Sequence, residues 1–218
     1  MDGQPATTPR ERYRTQISAE IKQRAWAQIA TTGASALSLN AIAKQMGMSG
    51  PALYRYFAGR DELLTELIGD AYRSLADALR DAAATHGSKA DGPADLARAL
   101  RDWALADPQR YLLIYGTPIP GYHAPAESTH IARSIMELLL DAFDGLPEPA
   151  AEPLDQHLAA HRAWAGDHAA SGGVLRRALT FWTRLHGVIS LQVAGHFTGM
   201  GFDPERLFDA EVEHLLDQ

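Results

Sequence analysis

The sequence predicts an all-α protein with a small N-terminal domain of three helices, a long connecting helix and a larger C-terminal helical bundle. Most segments repeat their apolar residues every three or four positions, whereas few alternate as a strand would. Glycine and proline divide the chain of 218 residues into segments of helical length. The predicted helices cover residues 12–32, 39–46, 50–57, 61–84, 94–106, 108–115, 126–143, 154–168, 173–197 and 204–217.

The N-terminal helices have recognisable boundaries. Gly33 is expected to end the first helix. Ser38 and Ser49 are expected to cap the second and third helices, because a serine hydroxyl can accept a hydrogen bond from a first-turn amide. Gly47 follows the second helix, where a sharp turn favours a residue that tolerates positive φ. Residues 38–57 therefore have the pattern of a helix-turn-helix.

Composition excludes several classes of protein. Apolar residues make up 46% of the chain, enough for a sizeable core, yet no run approaches the roughly 20 residues of a membrane span. Cysteine is absent, which removes disulfides, cysteine-ligated zinc and thiol nucleophiles. The polar N-terminus lacks the apolar core of a secretion signal. We therefore expect a cytoplasmic protein that does not enter a membrane.

The charge is distributed unevenly along the chain. Residues 1–60 contain eight arginines and lysines and three acidic residues, a net charge of +5, so the remainder carries −12 of the total of −7. A basic N-terminal part joined to an acidic remainder suits a protein that binds phosphate groups at one end. Chance unevenness is the alternative explanation.

The third helix offers a surface suited to a DNA groove. In a helix-turn-helix, the second helix of the motif lies in the major groove. A small N-terminal half would let the backbone approach the base edges, while the tyrosine hydroxyls and Arg60 would lie near phosphates. The tyrosines could instead be core residues, but two positions apart on a helix they cannot both face the core. The exposed set is Ser49, Gly50, Ala52, Tyr54, Arg55 and Tyr56.

This stretch resembles the tetracycline-repressor (TetR) family of bacterial regulators. The resemblance rests on I-A-x-x-x-G from Ile42 to Gly47, on L-Y-x-Y-F from Leu53 to Phe57, and on the basic residue before D-E-L-L at Arg60. In detail it covers about the first 70 residues. It implies a homodimer that binds a near-palindromic operator in double-stranded DNA and is released by a small-molecule effector.

The resemblance also implies a role for individual residues. Ser38 would bond a phosphate and Asn40 would reach a base edge. Tyr54 and Tyr56 would clamp the DNA backbone on either side of the recognition helix, and Arg60 would pair with phosphate. Leu39 departs from the threonine that is usual in the family, which removes one hydroxyl contact. Lys44 would be a flanking phosphate contact, or simply a solvated lysine.

The C-terminal part is expected to bind the effector and to form the dimer. The helices near 173–197 and 204–217 could pair with their copies in a four-helix interface, the usual arrangement in the resembling family. Trp182, His186 and Gly187, with the segment 115–122, resemble the subgroup named after its Trp-His-Gly motif. Trp182 could equally be core, with His186 making one structural hydrogen bond. The predicted pocket residues are Trp103, Tyr111, Tyr115, Tyr122, Trp182 and His186.

Other functional classes are less well supported. His157 and His161 have a spacing that can share a metal, but the segment lacks the glutamate of a zinc protease, and two exposed histidines are expected instead. No nucleophile-elbow or phosphate-loop motif occurs, so we expect no enzyme, catalytic residue, cofactor or metal. The alternative is a helical small-molecule-binding protein or enzyme with no DNA role. The predicted domains are a DNA-binding domain at residues 1–60 and an effector-binding and dimerisation domain at residues 61–218.

Overall fold

The computed structural model describes residues 8–85, 92–123, 125–144 and 146–217, without the side chains of residues 126–129. The described residues form α-helices and short 3-10 turns and no strand, which confirms the all-α prediction. No helix among them is long and apolar enough to span a bilayer. The helices are α1 (Pro9–Thr32), α2 (Leu39–Gln45), α3 (Gly50–Leu53), α4 (Arg60–Ala84), α5 (Gly92–Ala106), α6 (Pro108–Tyr115), α7 (Ala126–Phe143), α8 (Pro153–Ala160), α9 (Gly172–Val193) and α10 (Pro204–Leu216).

Helix α1 begins three residues before its predicted start. Thr8 and Glu11 form a capping box, in which the Thr8 hydroxyl accepts from the Glu11 amide and the Glu11 carboxylate accepts from the Thr8 amide. Pro9 follows at the first helical position, where its missing N–H costs nothing. The apolar periodicity of the sequence predicts one face of α1 that contains Ile17, Ile21, Ala25 and Ile29. Ile21, Ala25 and Ile29 lie in the core, whereas Ile17 is half-buried.

The turn between α2 and α3 follows the prediction on one side and departs from it on the other. Ser38 caps α2, since its hydroxyl accepts from the Ala41 amide at 3.3 Å, and Gly47 has a φ of +66°. Ser49 occupies the predicted N-cap position of α3, but its side chain accepts no hydrogen bond, so the position is confirmed and the predicted hydrogen bond is wrong.

Helix α3 is also shorter than predicted. It ends at Leu53, and the Tyr56 amide then donates to the Leu53 carbonyl at 2.8 Å in a tighter turn. The tightening accompanies complete or nearly complete burial of both Leu53 and Phe57. The prediction of a helix through residue 57 is therefore wrong.

Two C-terminal helices end earlier than predicted. Helix α8 stops at Ala160 rather than 168, and a short 3-10 turn at Ala163–Ala165 packs against α7 and buries Ala165. Helix α9 stops at Val193 rather than 197. Gly195 has a φ of +78°, its amide donates to the Gln192 carbonyl, and the His196 amide donates to the Leu191 carbonyl, which is a Schellman end.

The described residues divide into two compact units. The first contains residues up to Ile68 and the segment 117–123, and the second contains the rest. Helix α4 contributes to both, since the division falls between Ile68 and Gly69. The largest fully buried side chains of the first unit include Ile21, Ile42, Leu53, Leu63, Leu64 and Leu67, and those of the second Leu75, Leu100, Tyr111, Phe143, Phe181 and Phe208.

Replacement of Gly47 by alanine should destabilise the first unit through backbone conformation alone. A Cβ at Gly47 would meet no atom within 4 Å, but its φ of +66° is one that an alanine adopts at a cost of about 1–2 kcal/mol. Gly59→Ala is the matched control, because that site is equally open and its φ is not positive. Urea unfolding should show the loss for Gly47→Ala and a change under about 0.5 kcal/mol for Gly59→Ala. Equal effects would contradict the conformational explanation.

Candidate DNA-binding surface and effector site

The side of the helix-turn-helix that faces the core, its underside, is apolar and well packed. Ile42 and Leu53 are fully buried, and Ala43 and Phe57 are each no more than 4% exposed. The Met48 amide donates to the Ala43 carbonyl at 2.9 Å, which ties the turn to the end of α2. The outer faces of α2 and α3 are thereby directed away from the core.

The ten predicted DNA-binding residues all lie outside the core. Tyr54 is 46% exposed and Tyr56 is half-buried, so neither belongs to the apolar underside. Asn40 and Gly50 are neighbours, since a Cβ at Gly50 would lie 3.8 Å from the Asn40 Oδ1. The exposed members are Asn40, Lys44, Ser49, Tyr54 and Arg55, and the half-buried members are Ser38, Gly50, Ala52, Tyr56 and Arg60.

Two members of the set already have partners within the protein. The Ser38 amide donates to the Gln28 Oε1 at 2.6 Å, and its hydroxyl accepts from the α2 backbone. The Arg60 guanidinium donates through Nη2 to the carbonyls of Ala34 and Ser35, both at 3.2 Å. Arg60 therefore holds the loop after α1 in place, and its predicted contact with phosphate stays a prediction.

Sequence reasoning missed one basic surface of the first unit. Arg55 and Tyr56 line a groove together with Arg10, Tyr13 and Arg14 of α1, and the groove encloses about 260 Å³. The signal was present in the sequence, because Arg10, Tyr13 and Arg14 have the i, i+3, i+4 spacing of one helical face.

The second unit contains a compact aromatic cluster. The ring centroid of His186 lies 4.3 Å from that of Tyr115 and 4.2 Å from that of Trp182. Tyr111 stacks on His186 with a centroid distance of 5.6 Å. The Tyr72 ring meets Tyr115 edge-on at 6.1 Å. Four predicted pocket residues therefore come together, and Tyr72 of α4 joins them.

The other two predicted pocket residues have different surroundings. Trp103 packs against the core of the second unit and its indole N–H donates to the Ser74 Oγ at 3.1 Å. Tyr122 belongs to the first unit, where its hydroxyl lies 3.0 Å from the Thr65 hydroxyl. Both were predicted as pocket residues because they are aromatic, and an aromatic side chain can as well be a packing contact as part of a pocket wall.

A short hydrogen-bond chain runs through the aromatic cluster. The Tyr111 hydroxyl lies 2.9 Å from the His186 Nδ1 and 2.7 Å from the Ser190 Oγ. The His186 Nε2 is buried and has no hydrogen-bond partner among the described residues. Burial lowers the pKa of His186 to about 4, so the imidazole is neutral at physiological pH. Burial likewise raises the pKa of Tyr115 well above its ordinary value, and nearby Tyr72 and Tyr111 raise it further.

A small apolar cavity adjoins this cluster through Trp182. Its volume of about 10 Å³ is at the lower limit for a single water molecule. Drug-sized ligands occupy pockets of roughly 300–1,000 Å³, so a ligand could enter only if the surrounding helices moved. The lining residues are Leu79, Leu96, Leu100, Ile135, Leu139, Phe181, Trp182 and Leu185.

The histidine pair at the C-terminal end of α8 is exposed. The rings of His157 and His161 stack at 4.3 Å between centroids, and the His161 Nδ1 lies 2.9 Å from the His157 carbonyl oxygen. No group of three or more potential metal ligands occurs in the part of the chain that the structure describes.

Comparison with known proteins places both parts of the chain in one family. The family model described as "Bacterial regulatory proteins, tetR family" matches residues 21–67. The model described as "Tetracyclin repressor-like, C-terminal domain" matches residues 93–215. The two matches cover the helix-turn-helix and most of the second unit.

Similar proteins point to the same family. The HTH-type transcriptional regulator Rv1816 of Mycobacterium tuberculosis is 36% identical, with 93% of this chain and 92% of the relative aligned. A crystal structure of a protein described as regulatory, SCO4313, is 62% identical, with a TM-score of 0.89 over 97% of this chain and 100% of that one.

A more distant structure shares the fold alone. The TetR family transcriptional regulator PfmR from Thermus thermophilus is 15% identical and superposes with a TM-score of 0.61, over 90% of this chain and 97% of that one. The matches to both family models and the long relative at 36% identity agree with the helix-turn-helix described above. The chain belongs to the TetR family of helix-turn-helix transcriptional regulators.

Proposed function

We propose that this regulator is a repressor that binds a near-palindromic operator as a homodimer and leaves it when a small molecule enters the second unit. The observation that carries the proposal is the pairing of a buried apolar underside with a polar outer surface on α2 and α3. Ile42 and Leu53 hold the underside, while Asn40, Tyr54 and Arg55 are exposed. These three exposed side chains form no hydrogen bond or ion pair among the described residues, and such a surface matches what a major groove accepts. A regulator of this kind acts in the bacterial cytoplasm.

The DNA contacts that we propose divide into two kinds. Asn40 would reach a base edge, because an amide can both donate and accept there, and its neighbour Gly50 leaves the backbone of α3 accessible. Ser38, Lys44, Tyr54 and Tyr56 would contact the sugar-phosphate backbone and fix the register. Leu39 is 3% exposed and so contributes to the core instead of to the surface.

The dimer that we propose forms through α9 and α10. Gly187 is exposed, and a Cβ there would meet no atom of another described element within 4 Å, so its small size would allow a second chain to approach α9 closely. Leu191, one turn further along α9, is 46% exposed. Seven large apolar side chains are exposed among the described residues, and four of them lie on α9, on α10 or between the two helices. This concentration favours a symmetric interface there. The four side chains are Leu191, Met200, Phe202 and Leu207.

The effector that we propose is largely apolar and uncharged, with one hydrogen-bonding group. The aromatic cluster contains no ionised side chain, and a charged ligand would be costly to bury without a partner. The unpartnered Nε2 of His186 would meet the polar group of the ligand. Trp182, His186 and Gly187 support a place in the Trp-His-Gly subgroup of the family.

Release would pass through α4. Tyr72 brings α4 into the aromatic cluster, and the Trp103 indole donates to Ser74 on the same helix. A ligand that enlarged the cavity would therefore displace α4 directly. The first turns of α4 belong to the DNA-binding unit, so a shift of this helix would change the spacing of the two recognition helices, which must match about 34–36 Å of DNA. Coupling of about 1–3 kcal/mol is typical and would change operator affinity roughly 5- to 150-fold.

Replacement of Tyr54 and Tyr56 by phenylalanine should weaken DNA binding without affecting folding. Each change removes one hydroxyl from a ring that lies outside the core, so we expect a loss of about 0.5–1.5 kcal/mol per contact and a nearly constant Tm. Fluorescence anisotropy on a duplex selected by the wild-type protein from a randomised library measures the affinity. A fall in Tm with unchanged affinity would show that these are packing residues. A wild-type protein that selects no duplex would favour the alternative of a helical binding protein without a DNA role.

Replacement of Leu191 by glutamate should dissociate the dimer, because a charge would be buried in the α9 interface without a partner. Leu154→Glu is the matched control, since Leu154 is 48% exposed on α8, outside the proposed interface. Sedimentation velocity should show monomers only for Leu191→Glu, with an operator affinity at least about tenfold weaker. Dissociation by both variants, or by neither, would argue against this interface.

The stability of the protein should fall in acid partly because of His186. The folded protein keeps this imidazole neutral down to about pH 4, whereas the unfolded chain takes up the proton near pH 6.5. The unfolded state therefore binds more protons between these pH values. As a result, the free energy of unfolding falls by about 2 kcal/mol from pH 7 to pH 5. Urea titrations at both pH values should show a smaller loss for His186→Gln, which cannot titrate. An identical loss in the variant would mean that His186 is already solvated in the folded protein.

A further inference from the structure

The N-terminal part of α1 extends beyond the core of its unit. The helix has 24 residues and is therefore about 36 Å long, but its buried residues begin only at Ile21. Residues 8–16 are all exposed. Helices in proteins are stabilised mainly by packing of an apolar face, and residues 8–16 bury no such face against the described part of the chain.

The exposed part of α1 is polar on every side. It contains Arg10, Arg12 and Arg14, and Tyr13 is its only large apolar side chain, with 62% exposure. An apolar partner would find no continuous stripe on which to pack. The composition instead suits an anionic partner that tyrosine can also contact through its hydroxyl.

One face of this segment forms a groove with the recognition region. Arg10, Tyr13 and Arg14 face Arg55 and Tyr56, which follow α3, across a space of about 260 Å³. All of these residues belong to the same compact unit. The groove is lined by three guanidinium groups and two phenol rings, and no carboxylate is among its described lining residues.

The positive charge of the groove is not neutralised within the described part of the chain. None of Arg10, Arg14 and Arg55 forms an ion pair there. Glu11 is adjacent in sequence, but its carboxylate accepts from the amide and the hydroxyl of Thr8, at 2.7 and 2.9 Å. These hydrogen bonds lower the pKa of Glu11 and hold it at the helix cap. Arginines in the first turns of a helix also oppose its dipole, so the cluster is not explained by stability.

We infer that this groove binds phosphates of the DNA backbone, beside the major groove that α3 would occupy. The inference rests on the proposed DNA-binding function and extends it to α1. Guanidinium groups bind phosphate through paired N–H donors, and tyrosine hydroxyls donate to the same oxygens. Arg55 would thereby be a phosphate contact that acts with Arg10 and Arg14.

Salt dependence of DNA binding tests this inference. Affinity for DNA falls as salt rises, and the slope of log affinity against log salt becomes shallower by about 0.9 for each phosphate contact that is lost. Because the proposed dimer carries two copies of the groove, we expect Arg10→Ala and Arg14→Ala each to make the slope shallower by about 1.8. Each should weaken binding to a selected duplex and to a scrambled duplex of the same length by the same factor. Arg12→Ala is the matched control, because it removes the same charge from the same exposed segment but does not line the groove. Its slope should equal that of the wild-type protein.

The outcomes separate this inference from the proposed function. If Arg12→Ala lowers the slope as much as Arg14→Ala, the effect is one of general charge and the groove has no special role. If Arg14→Ala weakens only the selected duplex, the groove reads bases and the inference is wrong. If the α1 variants bind as the wild type while Tyr54→Phe does not, DNA binding stands without α1. If the wild-type protein binds no duplex, the proposed DNA-binding function and the inference about the groove both fail.

A competition experiment distinguishes DNA phosphate from a free phosphate ligand. Inorganic phosphate should inhibit duplex binding no more than chloride does at the same ionic strength, because a single small anion does not span the groove. Selective inhibition of the wild-type protein, absent in Arg14→Ala, would identify a site for free phosphate and overturn the assignment to DNA. The variants should keep the wild-type Tm, since Arg10, Arg12 and Arg14 are all exposed.

Discussion

The packing of α2 against α3 is the constraint on which the account depends. Ile42 and Leu53 are fully buried, and Ala43 is small enough for the two helices to approach each other. Gly47 permits the turn that this approach requires, because its φ of +66° is unfavourable for other residues. With the underside held in this way, the backbone that carries the outer side chains is in place before any DNA is bound, and binding loses less conformational entropy.

The two units have chemically opposite sites. The first exposes arginines, a lysine, an asparagine and tyrosines to solvent. These side chains suit a partner with regularly spaced negative charges. The second encloses a neutral cluster in which burial lowers the pKa of His186 and raises that of Tyr115. Helix α4 contains residues of both units, and Tyr72 links it to the aromatic cluster. Such a division suits the proposed regulator, in which the ligand and the DNA would be recognised by different chemistry.

The sequence predicted the helices better than it predicted their ends or the pocket. Apolar periodicity identified the buried face of α1, and the Ser38 cap and the Gly47 turn followed from local chemistry. The end of α3 depends on the simultaneous burial of Leu53 and Phe57, which is a tertiary effect. Gly195 was a usable signal for the end of α9 that the continuous apolar pattern obscured.

The cluster around His186 was only partly predictable. Trp182 and His186 are adjacent on one helix, so their spacing revealed them. Tyr72 and Ser190 join the cluster from α4 and from the next turn of α9, and no local pattern distinguishes them from other polar or aromatic helix residues. Trp103 and Tyr122 have the right composition for a pocket wall but form hydrogen bonds with Ser74 and Thr65.

Hydroxyl-radical footprinting of the wild-type protein on a selected duplex tests the central claim most directly. A dimer that places one recognition helix in each of two major grooves should protect two symmetric patches, with centres about 10–10.5 base pairs apart or a multiple of that distance. A single asymmetric patch, or uniform cleavage at saturating protein, would contradict the account.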